Sequence, residues 1–169
     1  MRRLLAGLAA ALALGSAACA YDDPGMVPLD QLDQQAFTRD VQPIFEARCA
    51  TLDCHGVEGR PLRLYAETGL RLRDDLRDLP MTDEEVIANV RSAEGVDPGA
   101  RPDLNLILRK PLAEAAGGVQ HEGGDLWLSR DEPQAACVVA WLAGQSELDA
   151  VRDACIRAGT EVALPPPPE

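Results

Sequence analysis

Cys49, Cys54 and His55 lie in the run Arg48-Cys-Ala-Thr-Leu-Asp-Cys-His-Gly56. Two cysteines with a histidine directly after the second are the residues by which a chain attaches haem c, through two thioether bonds to the vinyl groups and an imidazole on the iron. Such an attachment constrains the fold as well as the chemistry, because the polypeptide has to wrap a flat, largely apolar disc beside its own core. The usual spacing is C-x-x-C-H. Here it is C-x4-C-H, two residues longer. The extra residues can bulge outward while both thiols stay within reach of one cofactor. The competing reading is a Cys49–Cys54 disulfide closing a tight loop, with His55 incidental.

The chain begins as an exported one does. Arg2 and Arg3 precede an apolar run from Leu4 to Leu14, followed by Gly15-Ser16-Ala17-Ala18-Cys19. A basic start, a short apolar stretch and small residues define a secretory signal, and the run is too short to span a bilayer. Residues 1–18 are therefore set aside as a signal peptide. Two processing routes are open: cleavage after Ala20, or lipidation of Cys19 at a lipobox-like Ser16-Ala17-Ala18-Cys19. Parity favours lipidation, since removing Cys19 from five cysteines leaves an even number. The expected location is the periplasm or cell envelope, with a lipid anchor as the membrane attachment.

Residues 19–36, with Pro24, Gly25 and Pro28, read as a flexible tether, and 160–169 as a Pro-rich tail. The domain is then 37–159, a size that suits one core. Its charge is strongly negative, −12 over the whole chain. That argues against nucleic-acid binding and against docking on anionic lipid by charge, and it suits a protein partner with a basic patch.

The local signals are helical. Asp40 is the expected N-cap of a first helix with Pro43 in its first turn; Val41, Ile44 and Phe45 share one face, and the helix runs into Cys49. Residues 56–80 are rich in Gly and Pro and read as loop. Thr82-Asp-Glu-Glu85 is a capping box, with Met81 and Val86 placed for a hydrophobic staple and Gly95 as the stop. A short helix near 104–110 follows Asp103 and ends at Pro111. Residues 113–128 form a glycine-rich loop holding His121. Ser129-Arg-Asp-Glu132 reads as a second capping box, opening a helix through Cys137 and Trp141 to Gly144. Ser146 caps a last helix, 147–158. Period-2 alternation is nearly absent, so the expected fold class is all-α, ending in a helical hairpin. Cys137 and Cys155 lie nine positions either side of Ser146, where an antiparallel hairpin brings residues opposite, so a disulfide is expected there. A zinc or redox pair is the weaker reading, because other metal-binding side chains are not at ligand spacing.

The stretch Phe37-Thr-Arg-Asp-Val-Gln-Pro-Ile-Phe-Glu-Ala-Arg-Cys49, followed by Cys54-His-Gly56, resembles small exported bacterial c-type cytochromes of the Planctomycete-type cytochrome domain group. The blocks Leu106-Ile-Leu-Arg-Lys-Pro-Leu112, His121-Glu-Gly-Gly124 and Val139-Ala-Trp-Leu-Ala-Gly144 look like later parts of the same group. The resemblance implies a cytochrome c-like helical domain whose first helix packs across the helix carrying Trp141. It also implies one haem c and single-electron transfer with redox partner proteins, a carrier rather than a catalyst.

His55 is then the proximal iron ligand and His121 the candidate for the opposite face; the alternative for His121 is an ordinary exposed loop histidine. Met81 or an open sixth position are the other readings. Arg60 and Arg63, close behind the motif, are candidates for pairing with the haem propionates, against simple solvation. No G-x-S-x-G, H-E-x-x-H or phosphate-binding loop is present. The rival from another class is a haem-free, disulfide-stapled helical lipoprotein serving as a binding or structural module.

Overall fold

The computed structural model describes residues 34–144, 155, 156 and 158. The signal segment, the lipidation candidate Cys19, most of the tether, Ser146 and the Pro-rich tail lie outside them. Among the described residues there is no strand, only one isolated parallel bridge between Leu112 and Trp127. The class is all-α.

Helix α1 starts earlier than Asp40. It runs as Gln34–Ala36, passes through a π-helical turn, Phe37–Val41, and continues as α-helix over Gln42–Arg48. The sequence reading had placed residues 34–36 in the tether and made Asp40 the cap. Asp40 is instead an interior position whose carboxylate pairs with Arg39 at 2.6 Å. The reason is Pro43. Inside an α-helix its ring collides with the carbonyl four residues back. The wider turn, in which Gln42 N–H bonds Phe37 O, shifts that carbonyl aside and lets the helix continue. The apolar face holds as expected: Val41, Ile44 and Phe45 are all buried.

Helix α2, Asp83–Glu94, has the full capping box: Thr82 accepts from Glu85 N–H and Glu85 reaches back to Thr82 N–H. Met81 packs half-buried against the core, and Gly95 is the C-cap. Helix α3 is a single turn, Leu106–Arg109, capped by Asn105 rather than Asp103. Asn105 Oδ1 accepts from Ile107 N–H, while Asp103 is spent on Arg101. Helix α4, Pro133–Leu142, begins four residues after Ser129. Glu132 does reach back to Ser129 N–H, so half of the expected box forms. Pro133 then fixes the first helical position, because its missing N–H and preset φ suit a helix start. Gly144, with φ +61, ends the helix as expected.

Helices α1 and α4 pack through aromatic rings: Phe37 lies 5.0 Å from Trp141 and 5.5 Å edge-on to Phe45. Cys137 on α4 is bonded to Cys155, with Cα atoms 4.8 Å apart, and Cys155 and Ala158 are buried in the same core. The bond closes a segment of eighteen positions, worth about 3 kcal/mol in the chain-entropy account. Reducing it is expected to lower the unfolding free energy by about 3 kcal/mol, read as a lower urea midpoint at unchanged slope. An unchanged midpoint in Cys137→Ala/Cys155→Ala protein would show that packing alone holds Cys155 and Ala158 in the core.

Candidate cofactor cleft

Two loops face each other across a cleft of about 390 Å³, within the usual range for small-molecule sites. One loop follows α1 and carries Cys49, Cys54 and His55. The other follows α3 and carries His121. The walls between them are mainly apolar: Phe45 from α1, Leu62, Val96 beyond α2, Ile107 from α3, Leu126 and Trp127.

The motif loop is closed tightly despite its two extra residues. His55 N–H bonds Cys49 O at 3.0 Å, and Cys54 and Gly56 N–H both bond Thr51 O. The insertion is thereby folded out as a bulge, with Leu52 59 % exposed at its tip. Gly56 is demanded by close approach: any Cβ there would collide with the Ala50 carbonyl oxygen. Cys49 and Cys54 are both free thiols, so the Cys49–Cys54 disulfide expected on the competing reading is not formed. Burial pushes the Cys49 thiol up to about 12, with Cys54 beside it acting in the same direction and Arg48 opposing.

The two histidines are brought together. Their ring centroids are 6.0 Å apart and their planes differ by 10°. His55 Nδ1 lies 2.8 Å from Leu62 O. A carbonyl can only accept, so Nδ1 carries the proton and Nε2 keeps its lone pair. His121 Nδ1 approaches Gly124 O in the same sense, at 3.4 Å. Burial, more than the opposing Leu62 contact, moves the His55 pKa below its ordinary value, so the neutral ring is favoured. Two imidazoles bound end-on to one metal, each nitrogen about 2 Å from it, put their centroids roughly 6 Å apart. No group of three or more His, Cys, Asp or Glu suited to a bare ion occurs among the described residues. The ring-centroid spacing of His55 and His121 is of that two-imidazole size.

Other elements position this geometry. Leu62 is held because the segment behind it is tied to α2. Asn89 accepts from Tyr65 N–H and donates to Tyr65 O, and Ser92 accepts from Arg63 N–H. Leu64 N–H closes back on His55 O.

Neither Arg60 nor Arg63 lines the cleft. Arg60 is exposed, and the Arg63 guanidinium lies 5.2 Å over the Tyr65 ring. Met81 is not on the cleft either. The cations that line it are Arg48 and Lys110. Lys110 could have been noticed from the sequence, being the only lysine among 16 basic residues. The Leu62 carbonyl could not, since backbone acceptors leave no mark in a sequence.

Comparison with protein-family models, with curated proteins and with solved structures finds no match for this chain.

Proposed function

We propose that this chain is a c-type cytochrome that carries one haem between the two loops and passes single electrons between proteins of the cell envelope. The observation that carries the reading is the facing pair of imidazoles, 6.0 Å apart and nearly parallel, each with Nδ1 turned to a backbone carbonyl. Cys49 and Cys54 line the same cleft as free thiols, available for two thioethers. His55 and His121 would be the axial pair, and Arg48 and Lys110 the cations for the propionates. When bound, haem supplies a one-electron iron couple. The chain's own part is to hold two imidazoles in register, to exclude water with Phe45, Ile107 and Trp127, and to fix His55 through Leu62 O. A lipid on Cys19 would anchor the molecule to a membrane; no helix among the described residues is long and apolar enough to cross one. The acidic surface suits redox partners with a basic face. The rival, a haem-free module, leaves the paired imidazoles and the apolar cleft without a role.

Protein exported in the presence of the haem-attachment machinery is expected to gain the mass of one haem and to give a pyridine haemochrome spectrum. Cys54→Ala should remove one thioether and shift that spectrum. Recovery of a Cys49–Cys54 disulfide with no added mass would overturn the proposal.

A further inference from the structure

The two sides of the cleft are not built alike. His55 is pinned by its backbone N–H to Cys49 O, by its own carbonyl to Leu64 N–H, and by its ring to Leu62 O at 2.8 Å. His121 sits in a segment anchored only at its ends. Val119 N–H bonds Arg109 O on one side, and Leu126 and Trp127 N–H bond Pro111 O on the other. Between these anchors, residues 120–125 make one hydrogen bond to the rest of the described structure, Lys110 Nζ to Gln120 O at 2.9 Å. The ring contact of His121 is local and long, 3.4 Å to Gly124 O, and Gly124 takes the left-handed φ of +74 that lets the chain turn there. Gln120 and residues 122–126 are exposed, so the segment can swing outward without opening the core.

We propose that His121 is an exchangeable ligand, and that its face of the cleft binds an uncharged diatomic gas in place of the imidazole. The inference rests on the haem reading above. It deepens that reading, because it adds gas binding to electron transfer at the same site. The exchange is a ligand substitution: the bond to His121 breaks, the bond to the gas forms, and no electron or proton is transferred. The apolar lining from Ile107, Leu126 and Trp127 favours an uncharged occupant. Lys110 is a positioning residue, since it touches the carbonyl next to His121 and sets how readily the segment leaves.

The test is stopped-flow mixing of the reduced holoprotein with carbon monoxide. The binding rate is expected to rise with gas concentration and then level off at the rate of His121 departure. His121→Ala should remove the plateau. Lys110→Met, which deletes one hydrogen bond from a charged donor, should raise the plateau about tenfold, and Lys110→Arg should restore it. A low-spin holoprotein that shows no spectral change under saturating carbon monoxide over hours overturns the inference and leaves the cytochrome reading standing. A plateau unmoved by Lys110→Met overturns the role of Lys110. A protein that takes up no haem overturns the function and the inference together.

Discussion

Glu85→Ala is expected to lower stability at neutral pH by about 3–5 kcal/mol, the usual cost of leaving one member of a buried ion pair without its partner. Glu85 and Arg71 have side chains 0 % and 2 % exposed and are joined at 2.8 Å. Around them nothing is left unpaired. Glu85 also accepts from Leu72 N–H and from the Thr82 backbone and hydroxyl, while Arg71 donates to the carbonyls of Leu76, Leu79 and Pro80. One pair of side chains thus closes the loop 71–80 onto the start of α2, whose far end leads into Gly95 and Val96 of the cleft. Removing the carboxylate strands the guanidinium and uncaps the helix together. Glu85→Gln keeps a neutral acceptor for the cap and should cost less than Glu85→Ala. A swap of both members for apolar residues should not recover full stability, since three carbonyls and two N–H groups then lose their partners. Urea midpoints of the four proteins test the ranking; equal midpoints for Glu85→Ala and the parent would refute it.

The same pair sets an acid limit. Hydrogen bonds from Arg71, against the opposing effect of burial, hold the Glu85 carboxyl down at about 2, below its ordinary 4.5. The unfolded chain therefore takes up this proton first. The contribution of Glu85 is complete above about 4.5 and is lost as pH falls through that value toward about 2. Stability measured across this window should fall more steeply for the parent than for Glu85→Gln, which has no such proton to bind.

Glu85 also shows how far a sequence can be read. As a helix cap it was legible, because the box depends on residues three apart and on local geometry alone. As half of a buried ion pair it was not, since Arg71 meets it only after the loop folds back. The same contrast recurs through the chain. Thr82, Gly95 and Gly144 act where local rules put them, whereas Asp40 lost its capping role to the conflict between Pro43 and an ordinary helical turn. Pro133 sets the start of α4 four residues beyond Ser129, because a proline suits the first helical position. The equidistance of Cys137 and Cys155 from Ser146 points to the bond that forms, with Cα atoms 4.8 Å apart. Arg60 and Arg63 stand near His55 in sequence, yet neither lines the cleft, and Arg63 lies over the Tyr65 ring instead. Arg48 and Lys110 reach it from the C-terminal ends of α1 and α3.

His55→Ala and His121→Ala are each expected to convert the oxidised holoprotein from a low-spin to a high-spin spectrum, a complete change rather than a graded one, because the structure offers one imidazole to each side of the cleft. Met81→Ala should leave the spectrum as it was, since Met81 packs on the core away from the cleft. The two histidine variants should then separate on addition of free imidazole. The place of His121 opens beside an exposed loop, so imidazole should enter at low concentration and restore the low-spin spectrum. The place of His55 lies behind Cys49, Leu62 and the closed motif loop, where an added ring must recover the Leu62 carbonyl as its acceptor, so rescue there should need far more. Equal rescue of both variants would mean that the motif loop does not enclose His55 as its hydrogen bonds to Cys49, Leu62 and Leu64 require. A low-spin spectrum that survives His121→Ala would assign the second face to some other side chain, and with it would fall the pairing of imidazoles on which the cytochrome reading is built.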